Sequence, residues 1–335
     1  MAAPVSAQVT ESLSIVDEKA GVSAKYDIPE PEPFISFNAL KDRIRHHYEL
    51  ASDYYYSLWG EHIHHGYFLT PSDTKERAQV QLIELLLEKS GLPVGSSVLD
   101  VGCGIGGTSR HLAKIHGCNV VGVTISGRQV EIARKLTLEA AGEKPETIDA
   151  DAPKKLGDGW IRFVELDAEK MGDFFNVEPN VKKFDCVWIS EAMSHLPNKE
   201  LFFKNAAQLL NPGGKLVVAD WFKDEELTEA QFKADISPIE GMPPNGMLLP
   251  PLCSQADYVR LANGADLKTF AEPFDISRQV SKTWDISWTL IQNPALWAFA
   301  VAQGRDGLAF MQAFRAMRRG FANGTFRYAV MAFQK

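Results

Sequence analysis

The sequence predicts an α/β protein built on a doubly wound, mainly parallel sheet of seven strands. Short apolar segments alternate with helix-patterned segments through residues 97–221, and such alternation produces parallel sheets through right-handed crossovers. Four glycines crowd residues 102–107, between the first strand and the helix that follows it. An alternating apolar segment at residues 326–333 has the pattern of a last strand, which we expect to insert antiparallel beside the fifth.

The seven expected strands follow the apolar segments of the chain. They are residues 97–101, 119–124, 161–166, 184–189, 215–221, 267–274 and 326–333. Residues 143–159 carry Pro, Asp and Gly and break the alternation, so we expect an insertion loop there. Helical patterns before the first strand and late in the chain divide the protein into five expected parts. These are a flexible N-terminal arm at 1–35, a helical lid at 36–92, a ligand-binding core at 93–222, a cap insertion at 223–265, and the C-terminal part of the sheet with a helical substrate cap at 266–335.

Composition restricts the kinds of partner. The chain has 335 residues, of which 45% are hydrophobic and 23% charged, as in an ordinary globular protein with a sizeable core. A net charge of −8 argues against nucleic acid and favours a small-molecule partner. The four cysteines form no Cys-x-x-Cys pair, so we expect neither structural zinc nor disulfides. The sequence shows no membrane-spanning run and no signal-peptide pattern, so we expect a cytoplasmic location. We also expect a monomer or a homodimer.

The glycine turn that follows the first strand fits two cofactor patterns. Gly102, Gly104 and Gly107 match the G-x-G-x-x-G turn of dinucleotide-binding proteins. Asp100, Gly102, Gly104 and Gly106 match a D-x-G-x-G-x-G turn that resembles those of S-adenosylmethionine (SAM)-dependent methyltransferases. A carboxylate is unfavourable at the mouth of a pyrophosphate site, whereas a cationic amino-acid ligand accommodates one. Asp100 therefore favours the second pattern.

The ends of the next two strands add polar groups at the same edge of the sheet. In open α/β sheets, ligands bind beyond the carboxyl ends of the strands. The second strand ends in Thr124, Ile125 and Ser126 and is followed by Gln129, without the acidic residue that usually holds ribose hydroxyls. The third strand ends at Asp167, which can face an adenine amino group or simply cap a helix.

Four segments together resemble the class I SAM-dependent methyltransferases. They are residues 100–106, 121–129, 166–168 and 210–214. The Thr-Ile-Ser-x-x-Gln ending of the second strand resembles the γ-tocopherol methyltransferase-like and cyclopropane-synthase-like branches, which also lack the acidic residue. The aromatic and His-rich residues 55–68, and residues 317–320, resemble the tocopherol methyltransferase group. The resemblance implies a Rossmann-like methyltransferase fold, with SAM as cofactor and S-adenosylhomocysteine as its product.

The resemblance also implies roles for individual residues. The methionine part of SAM would lie against Asp100 and residues 102–106, the ribose and adenine against residues 124–129, and the adenine amino group against Asp167 and Ala168. Ser190, with Glu191 beside it, would lie below the sulfonium. The full set expected to contact the cofactor is Asp100, Gly102, Cys103, Gly104, Gly106, Thr124, Ile125, Ser126, Gln129, Asp167, Ala168, Ser190, Tyr54 and Trp59.

Methyl transfer is an in-line displacement in which the protein mainly positions its ligands and excludes water, and some acceptors also need a base. All eight histidines precede residue 196. We expect His195, Glu191 and His65 to be catalytic residues. The sequence further predicts a lid over the cofactor that uses Tyr54, Trp59, His65 and Tyr67. His62, His64 and His65 lack partners with metal-like spacing, so no metal is expected.

The sequence predicts a methyltransferase that acts on a small, fairly apolar metabolite by N-, C-, O- or S-methylation. Trp284, Trp288 and Trp297, with the apolar residues 241–252, predict an apolar acceptor pocket. N-methylation in secondary metabolism is favoured. The alternatives are an NAD(P)-dependent oxidoreductase and a methyltransferase-like regulatory protein without catalysis.

Overall fold

The computed structural model describes residues 45, 52, 56, 59–143, 152–240, 249–291 and 305–335, with side chains at all of these except 290–291 and 305–313. The expected N-terminal arm, Tyr54, most of the helical lid before Trp59, part of the cap insertion and Trp297 lie outside these residues.

The sheet of the described residues has eight strands. They are β1 (Ser97–Val101), β2 (Asn119–Thr124), β3 (Lys154–Leu156), β4 (Gly159–Glu165), β5 (Phe184–Ser190), β6 (Leu210–Lys223), β7 (Lys268–Asp275) and β8 (Phe326–Gln334). Their spatial order is β3-β4-β2-β1-β5-β6-β8-β7. The five central strands from β4 to β6 are parallel, and β8 inserts antiparallel between β6 and β7. The α/β fold with a mainly parallel sheet is therefore confirmed.

The expectation of seven strands is wrong by one. β3 lies within the segment that the sequence predicts as a loop, and it pairs antiparallel with β4. The connection between them is only two residues long, and Gly157 adopts φ +63° there, in the left-handed region that tight hairpins use. Leu156 is buried. A three-residue strand is too short to show an alternating pattern, which is why the sequence does not reveal it.

Eight helices of the described residues pack around the sheet and the cap. They are α1 (Lys75–Ser90), α2 (Gly107–His116), α3 (Gly127–Ala141), α4 (Met171–Phe175), α5 (Lys199–Leu209), α6 (Gln255–Gly264), α7 (Ser277–Ile291) and α8 (Arg305–Asn323). Short turns occur at Ala168–Lys170, Met193–His195 and Glu229–Gln231, and a π-helix occupies Phe232–Ile236. The capping residues agree with these bounds: Ser126 caps the start of α3 with its hydroxyl, and Gly91 ends α1 in the left-handed conformation.

Side-chain alternation on the central strands builds two cores. Val98 and Val120 belong to the core under α1, α2, α3 and α7, whereas their neighbours Leu99 and Val121 belong to the core under α4, α5 and α6. Both valines and both neighbours are at least 93% buried, and each such side chain contributes about 1.5–3 kcal/mol by leaving water. Because both faces are covered, ligands can approach only along an edge or an end of the strands.

A third apolar cluster forms the described part of the cap. It joins Trp284 of α7 and Phe314 of α8 to Ile236, Leu249 and Phe326. Asp235, in the π-helix, ties the cap to the end of α8. Its 3%-exposed carboxylate accepts hydrogen bonds from Arg319 Nε (2.7 Å), Asn323 Nδ2 (3.1 Å) and Thr325 Oγ1 (2.9 Å).

Replacing Asp235 by Ala should lower the free energy of unfolding by about 2 kcal/mol, because the buried hydroxyl of Thr325 loses its acceptor, as do the more exposed donors of Arg319 and Asn323. Urea denaturation measures the change. The matched control is Asp173→Ala, which removes an exposed carboxylate on α4 and should cost under about 1 kcal/mol. Equal effects of the two substitutions would contradict this role for Asp235.

Candidate active site

The glycine turn after β1 is closely packed on two sides and open in the middle. Gly102, Gly104 and Gly106 all adopt positive φ (+73°, +54° and +78°). A Cβ on Gly102 would stand 2.3 Å from Ala192 Cβ, and one on Gly106 would stand 2.4 Å from Phe163 Cζ. At Gly104 the nearest atom is 4.0 Å away. A ligand can therefore approach the backbone closely at Gly104.

Asp100 places a buried carboxylate beside this turn. It is 3% exposed and accepts a 2.5 Å hydrogen bond from Ser109 Oγ in the first turns of α2. Burial raises the pKa of Asp100 to about 6, and the hydrogen bond from Ser109 offsets only part of that effect. At neutral pH the site therefore holds a poorly solvated negative charge, which a cationic ligand would neutralise.

The residues expected at the ribose and adenine converge at the carboxyl ends of β2 and β4. Thr124 Oγ1 donates to Gln129 Oε1 at 2.6 Å, and Ser126 Oγ accepts from the Gln129 backbone N–H as the cap of α3. Asp167 caps the turn Ala168–Lys170 by accepting from the Glu169 N–H at 3.0 Å. The capping role expected for Asp167 is thus present, at the edge where the residues expected to contact the cofactor lie.

A carboxylate of the neighbouring strand lies close to the end of β2. Glu165 pairs in register with Thr124 at the end of β4. Its Oε2 lies 2.8 Å from the position that a Cβ on Gly127 would occupy, at the first residue of α3. The sequence pattern does not single out Glu165, because the strand that usually supplies such a carboxylate is β2.

Residues 59–68 lie directly across the glycine turn. A Cβ on Gly107 would stand 2.1 Å from the Glu61 carbonyl oxygen and 2.8 Å from His62 Nδ1. Between this segment and the turn remains a cavity of about 40 Å³, lined on the core side by residues that include Asp100, Cys103, Gly104 and Ser190. That volume suits one or two water molecules.

The expected lid residues are placed unequally around this cavity. Trp59 lies on the outside, where its ring contacts the Lys75 ammonium at 5.2 Å and its Nε1 donates to the His64 carbonyl oxygen. On the buried side, the Gln79 amide of α1 donates hydrogen bonds to the carbonyl oxygens of His62 and His64 and so fixes residues 62–64 against α1. Burial lowers the pKa of His62 to about 2 and also lowers that of His64, so both imidazoles are neutral.

His65 and Glu191 form a buried pair beside the cavity. The side chains are 7% and 8% exposed, and His65 Nδ1 lies 3.0 Å from Glu191 Oε2. Glu191 Oε1 also accepts from the His65 backbone N–H (2.7 Å) and from Tyr328 Oη (2.8 Å). Burial raises the pKa of Glu191, but His65 and its neighbours together bring it below the ordinary value. An ionised carboxylate only accepts hydrogen bonds, so the His65 proton is assigned to Nδ1.

Two features make this pair a candidate for the reacting groups. Glu191 adopts φ +55°, a left-handed conformation that costs a non-glycine residue about 1–3 kcal/mol and that clusters at active sites. His65 Nε2 is buried and has no hydrogen-bond partner among the described residues. A neutral imidazole held by a carboxylate at Nδ1 presents a lone pair at Nε2, which is the arrangement of a general base.

Aromatic rings surround His65. Trp284 (4.9 Å), Tyr328 (5.3 Å), Trp221 (5.8 Å) and Phe321 (6.3 Å) have ring centroids close to its own. His195 lies at the other side of Trp221, with a centroid distance of 6.2 Å. All three expected catalytic residues therefore lie in one region. Sequence reasoning missed Tyr328 and Trp221 as site residues, because both occur in apolar strands whose pattern indicates core.

A larger cleft of about 560 Å³ lies elsewhere, lined by Asn119, Val181 and other residues near the beginnings of β2 and β4. Ligands of open α/β sheets bind at the carboxyl ends of the strands. The glycine turn and the His65–Glu191 pair occupy that end, so we place the candidate active site there rather than in the larger cleft.

The glycine turn beside a buried Asp, on a parallel sheet with an antiparallel last strand, defines a class I SAM-dependent methyltransferase. Residues 37–248 match the model of the mycolic acid cyclopropane synthetase family. The chain belongs to this family, in the branch that also resembles the tocopherol methyltransferases, and its cofactor is SAM. The alternatives of an NAD(P)-dependent oxidoreductase and a protein without catalysis are thereby set aside.

Relatives and solved structures agree with the family. The chain is 28% identical over 310 residues to a probable chloroplastic tocopherol O-methyltransferase of Oryza sativa subsp. japonica, covering 88% of this chain and 78% of that protein. It is 39% identical to the 2-methyl-6-phytyl-1,4-hydroquinone methyltransferase of Synechocystis sp. over 168 residues, which are 49% of this chain and 45% of that one. A cyclopropane synthase from Mycobacterium tuberculosis has the same fold, with a TM-score of 0.67 at 20% identity over 88% of this chain and 98% of its own.

Among the described helices, none is long and apolar enough to cross a membrane.

Substitution of Asp100 by Asn should stabilise the cofactor-free protein and weaken SAM binding. Because the folded-state pKa is about 6 against 3.8 for the ordinary group, the charge costs stability above pH 6, and the cost disappears as pH falls below about 4. The gain at pH 7.5 is on the order of 3 kcal/mol. Loss of the charge should weaken SAM binding roughly 10- to 100-fold. Urea denaturation and calorimetry measure the two effects.

Asp220→Asn is the matched control for this substitution. Burial also raises the pKa of Asp220 to about 6, but its carboxylate accepts from Tyr258 away from the glycine turn. It should reproduce the stabilisation without the loss of SAM affinity. A destabilised Asp100→Asn variant, or one that binds SAM normally, would contradict our account of Asp100.

Acid should open residues 61–66. Burial lowers the pKa values of His62 and His64 in the closed segment. Protons therefore bind preferentially to the open segment, and the closed state is favoured above pH 6.5 and loses stability below it. Amide hydrogen exchange, corrected for the intrinsic pH dependence, should accelerate in this segment by up to about tenfold per pH unit for each histidine. Exchange in β1 serves as the control. Protection of residues 61–66 that is constant between pH 8 and 5.5 would show this wrong.

Proposed function

We propose that this methyltransferase N-methylates an amine on a small apolar metabolite, in secondary metabolism, and that His65 and Glu191 act as its general base. The observation that carries the proposal is the buried His65 Nε2, which has no partner among the described residues while Nδ1 contacts Glu191. The four rings around it supply an apolar and cation-tolerant setting for the acceptor.

The residues at the strand ends fit the cofactor. The open backbone at Gly104 and the carboxylate of Asp100 would hold the cationic methionine part of SAM, with Gly102, Cys103, Gly106 and Ser190 beside it. Thr124, Ile125, Ser126 and Gln129 would frame the ribose, with Asp167 and Ala168 at the adenine. Glu165 is our candidate for the ribose hydroxyls, since it replaces the carboxylate that β2 lacks. When bound, SAM supplies an activated methyl group.

The segment 59–68 would act as the lid. The cavity of about 40 Å³ beneath it is far smaller than SAM, so this segment has to move outward for the cofactor to enter. Its contacts with Gln79 and Gly107 then provide the closed position, which excludes water during transfer. Trp59 would support the lid from outside, and Tyr54 remains a predicted lid residue.

The His65–Glu191 pair would prepare the acceptor. Glu191 holds the Nδ1–H of His65, so that Nε2 takes a proton from the acceptor ammonium and the nitrogen lone pair becomes free. With SAM bound, that lone pair would be free to form a bond to the methyl carbon, and the electrons of the carbon–sulfur bond would pass to sulfur. Burial, and then the charge of Glu191, raise the pKa of Tyr328 well above its ordinary value, so Tyr328 stays a hydrogen-bond donor to Glu191.

We propose nitrogen as the acceptor atom because of the buried carboxylate of Glu191 and the aromatic rings around His65. A buried carboxylate and four aromatic faces stabilise a protonated amine before it gives up its proton. The relatives indicate the apolar acceptor, since their names specify a tocopherol and a phytyl hydroquinone. Their names do not fix the acceptor atom, because the sterol relatives are named as C-methyltransferases.

The test is transfer of labelled methyl from SAM to matched acceptors. An apolar secondary amine should be methylated, and analogues of the same skeleton with a hydroxyl or a methylene in place of the nitrogen should not. Extract of the organism that makes the protein, followed by mass identification of the labelled product, searches for the natural acceptor. A labelled product methylated at oxygen or carbon would overturn the nitrogen assignment.

Substitution of His65 by Ala should lower kcat about 10²- to 10⁴-fold at saturating SAM, because the base is lost, and SAM affinity should change little. Imidazole in the buffer should restore part of the rate. Tyr328→Phe, which removes one hydrogen bond to Glu191, should cost less than Glu191→Gln. His195→Ala, on the far side of Trp221, should mainly raise KM. An unchanged kcat in His65→Ala would exclude the pair as the base.

A cytoplasmic location and a monomeric or homodimeric state stay predictions. The four cysteines are free thiols in the structure, which is compatible with a reducing compartment.

A further inference from the structure

A second cluster of chemically active side chains lies between α1 and α2, apart from the His65–Glu191 pair. His111 Nε2 and His116 Nε2 lie 2.6 Å and 2.8 Å from the same atom, Oε1 of Glu84. The three donor atoms are all within 4.8 Å of one another. Among the described residues, this is the one group of three such donors that converges closely enough to share an ion.

The backbone around the cluster is fixed by the core. Glu84 lies between the buried residues Ile83 and Leu85 of α1, and His111 precedes the buried Leu112 of α2. These core residues belong to the same apolar cluster. The two histidines are five residues apart on α2, and their ring centroids are 5.5 Å apart. Three donors thus converge from two rigid helices, which reduces the cost of assembling a metal site.

The donor set has the chemistry of a transition-metal site. Two imidazole nitrogens and one carboxylate oxygen are the ligands of many zinc sites, with a water in the fourth position. A tetrahedral ion with bonds of about 2.0–2.2 Å separates its ligands by about 3.3 Å. The two Glu84–His contacts of 2.6 Å and 2.8 Å would therefore lengthen by roughly 0.5–0.7 Å to admit the ion. The side chains of His111, His116 and Glu84 are 14%, 23% and 44% exposed, respectively, so solvent can supply both the ion and the water.

We propose that Glu84, His111 and His116 bind one Zn²⁺ or a similar divalent transition-metal ion, which cross-links α1 to α2. Each imidazole binds through Nε2, so its ring proton resides on Nδ1 or is released to solvent. Glu84 then binds the ion in place of the two hydrogen bonds. α2 begins at the glycine turn, and α1 carries Gln79, which contacts the segment 59–68. The ion would therefore fix the helix that follows the turn against the helix that contacts the lid. The proposal does not depend on the acceptor or on the general base.

The experiment is metal titration of the tag-free, full-length protein after removal of metals with a chelator. Isothermal calorimetry with ZnCl₂ should show one site per chain. Glu84→Gln and His116→Ala should each weaken the binding at least about tenfold. The matched control is Glu88→Gln, the same change at an exposed position one turn further along α1, which should bind as the unsubstituted protein does. Circular dichroism checks that each variant is folded.

Co²⁺ provides a second measurement, because its visible absorption reports the number and geometry of its ligands. The unsubstituted protein should give the intense bands of four-coordinate Co²⁺, and the His116→Ala variant should lose them. The proposal is overturned if the protein binds no stoichiometric Zn²⁺, or if Zn²⁺ binds equally to the Glu84→Gln and Glu88→Gln variants. In the first case the cluster is only a pair of hydrogen bonds to Glu84, and in the second the ion binds elsewhere.

Discussion

The close packing of the glycine turn is the constraint on which the rest of the site depends. Gly102 and Gly106 have no room for a Cβ, because Ala192 and Phe163 occupy the space. These contacts fix the ends of β5 and β4 against the end of β1. The same packing leaves Gly104 open. A single glycine-rich turn thus positions the strand ends that carry the residues we propose for the cofactor and for the general base.

Several groups at this turn, and in the segment 59–68 that lies across it, cost free energy of folding because they are buried. Asp100 carries a buried negative charge, and His62 and His64 are kept neutral by burial. Glu191 adds a strained backbone conformation. Each of these features lowers the stability of the protein without ligands, and natural proteins tolerate such costs at functional sites. A cationic cofactor bound beside Asp100, as we propose, would offset the cost there and so couple binding to stability.

Much of the site could be predicted because its residues are local in sequence. The turn from Asp100 to Gly107 shows its glycines and its acid in one short stretch, and the resemblance to methyltransferases rests on such stretches. The pairing of His65 with Glu191 could not be predicted, since 126 residues separate them. Tyr328 and Trp221 appear in the sequence only as apolar-strand residues, and their contacts with the pair arise from the antiparallel pairing of β8 with β6.

The sequence by itself determined the class of fold, the glycine turn and the family. The spacing of apolar residues along helices and strands, the glycine spacing and the short motifs are all local signals. Only the tertiary structure decided which groups meet. It showed the carboxylate of Glu165 beside α3 and the buried imidazole of His65 among four rings. It also brought Glu84 to His111 and His116. The physical reason is that these contacts join segments far apart in the chain, whose distances are set by helix packing and strand register.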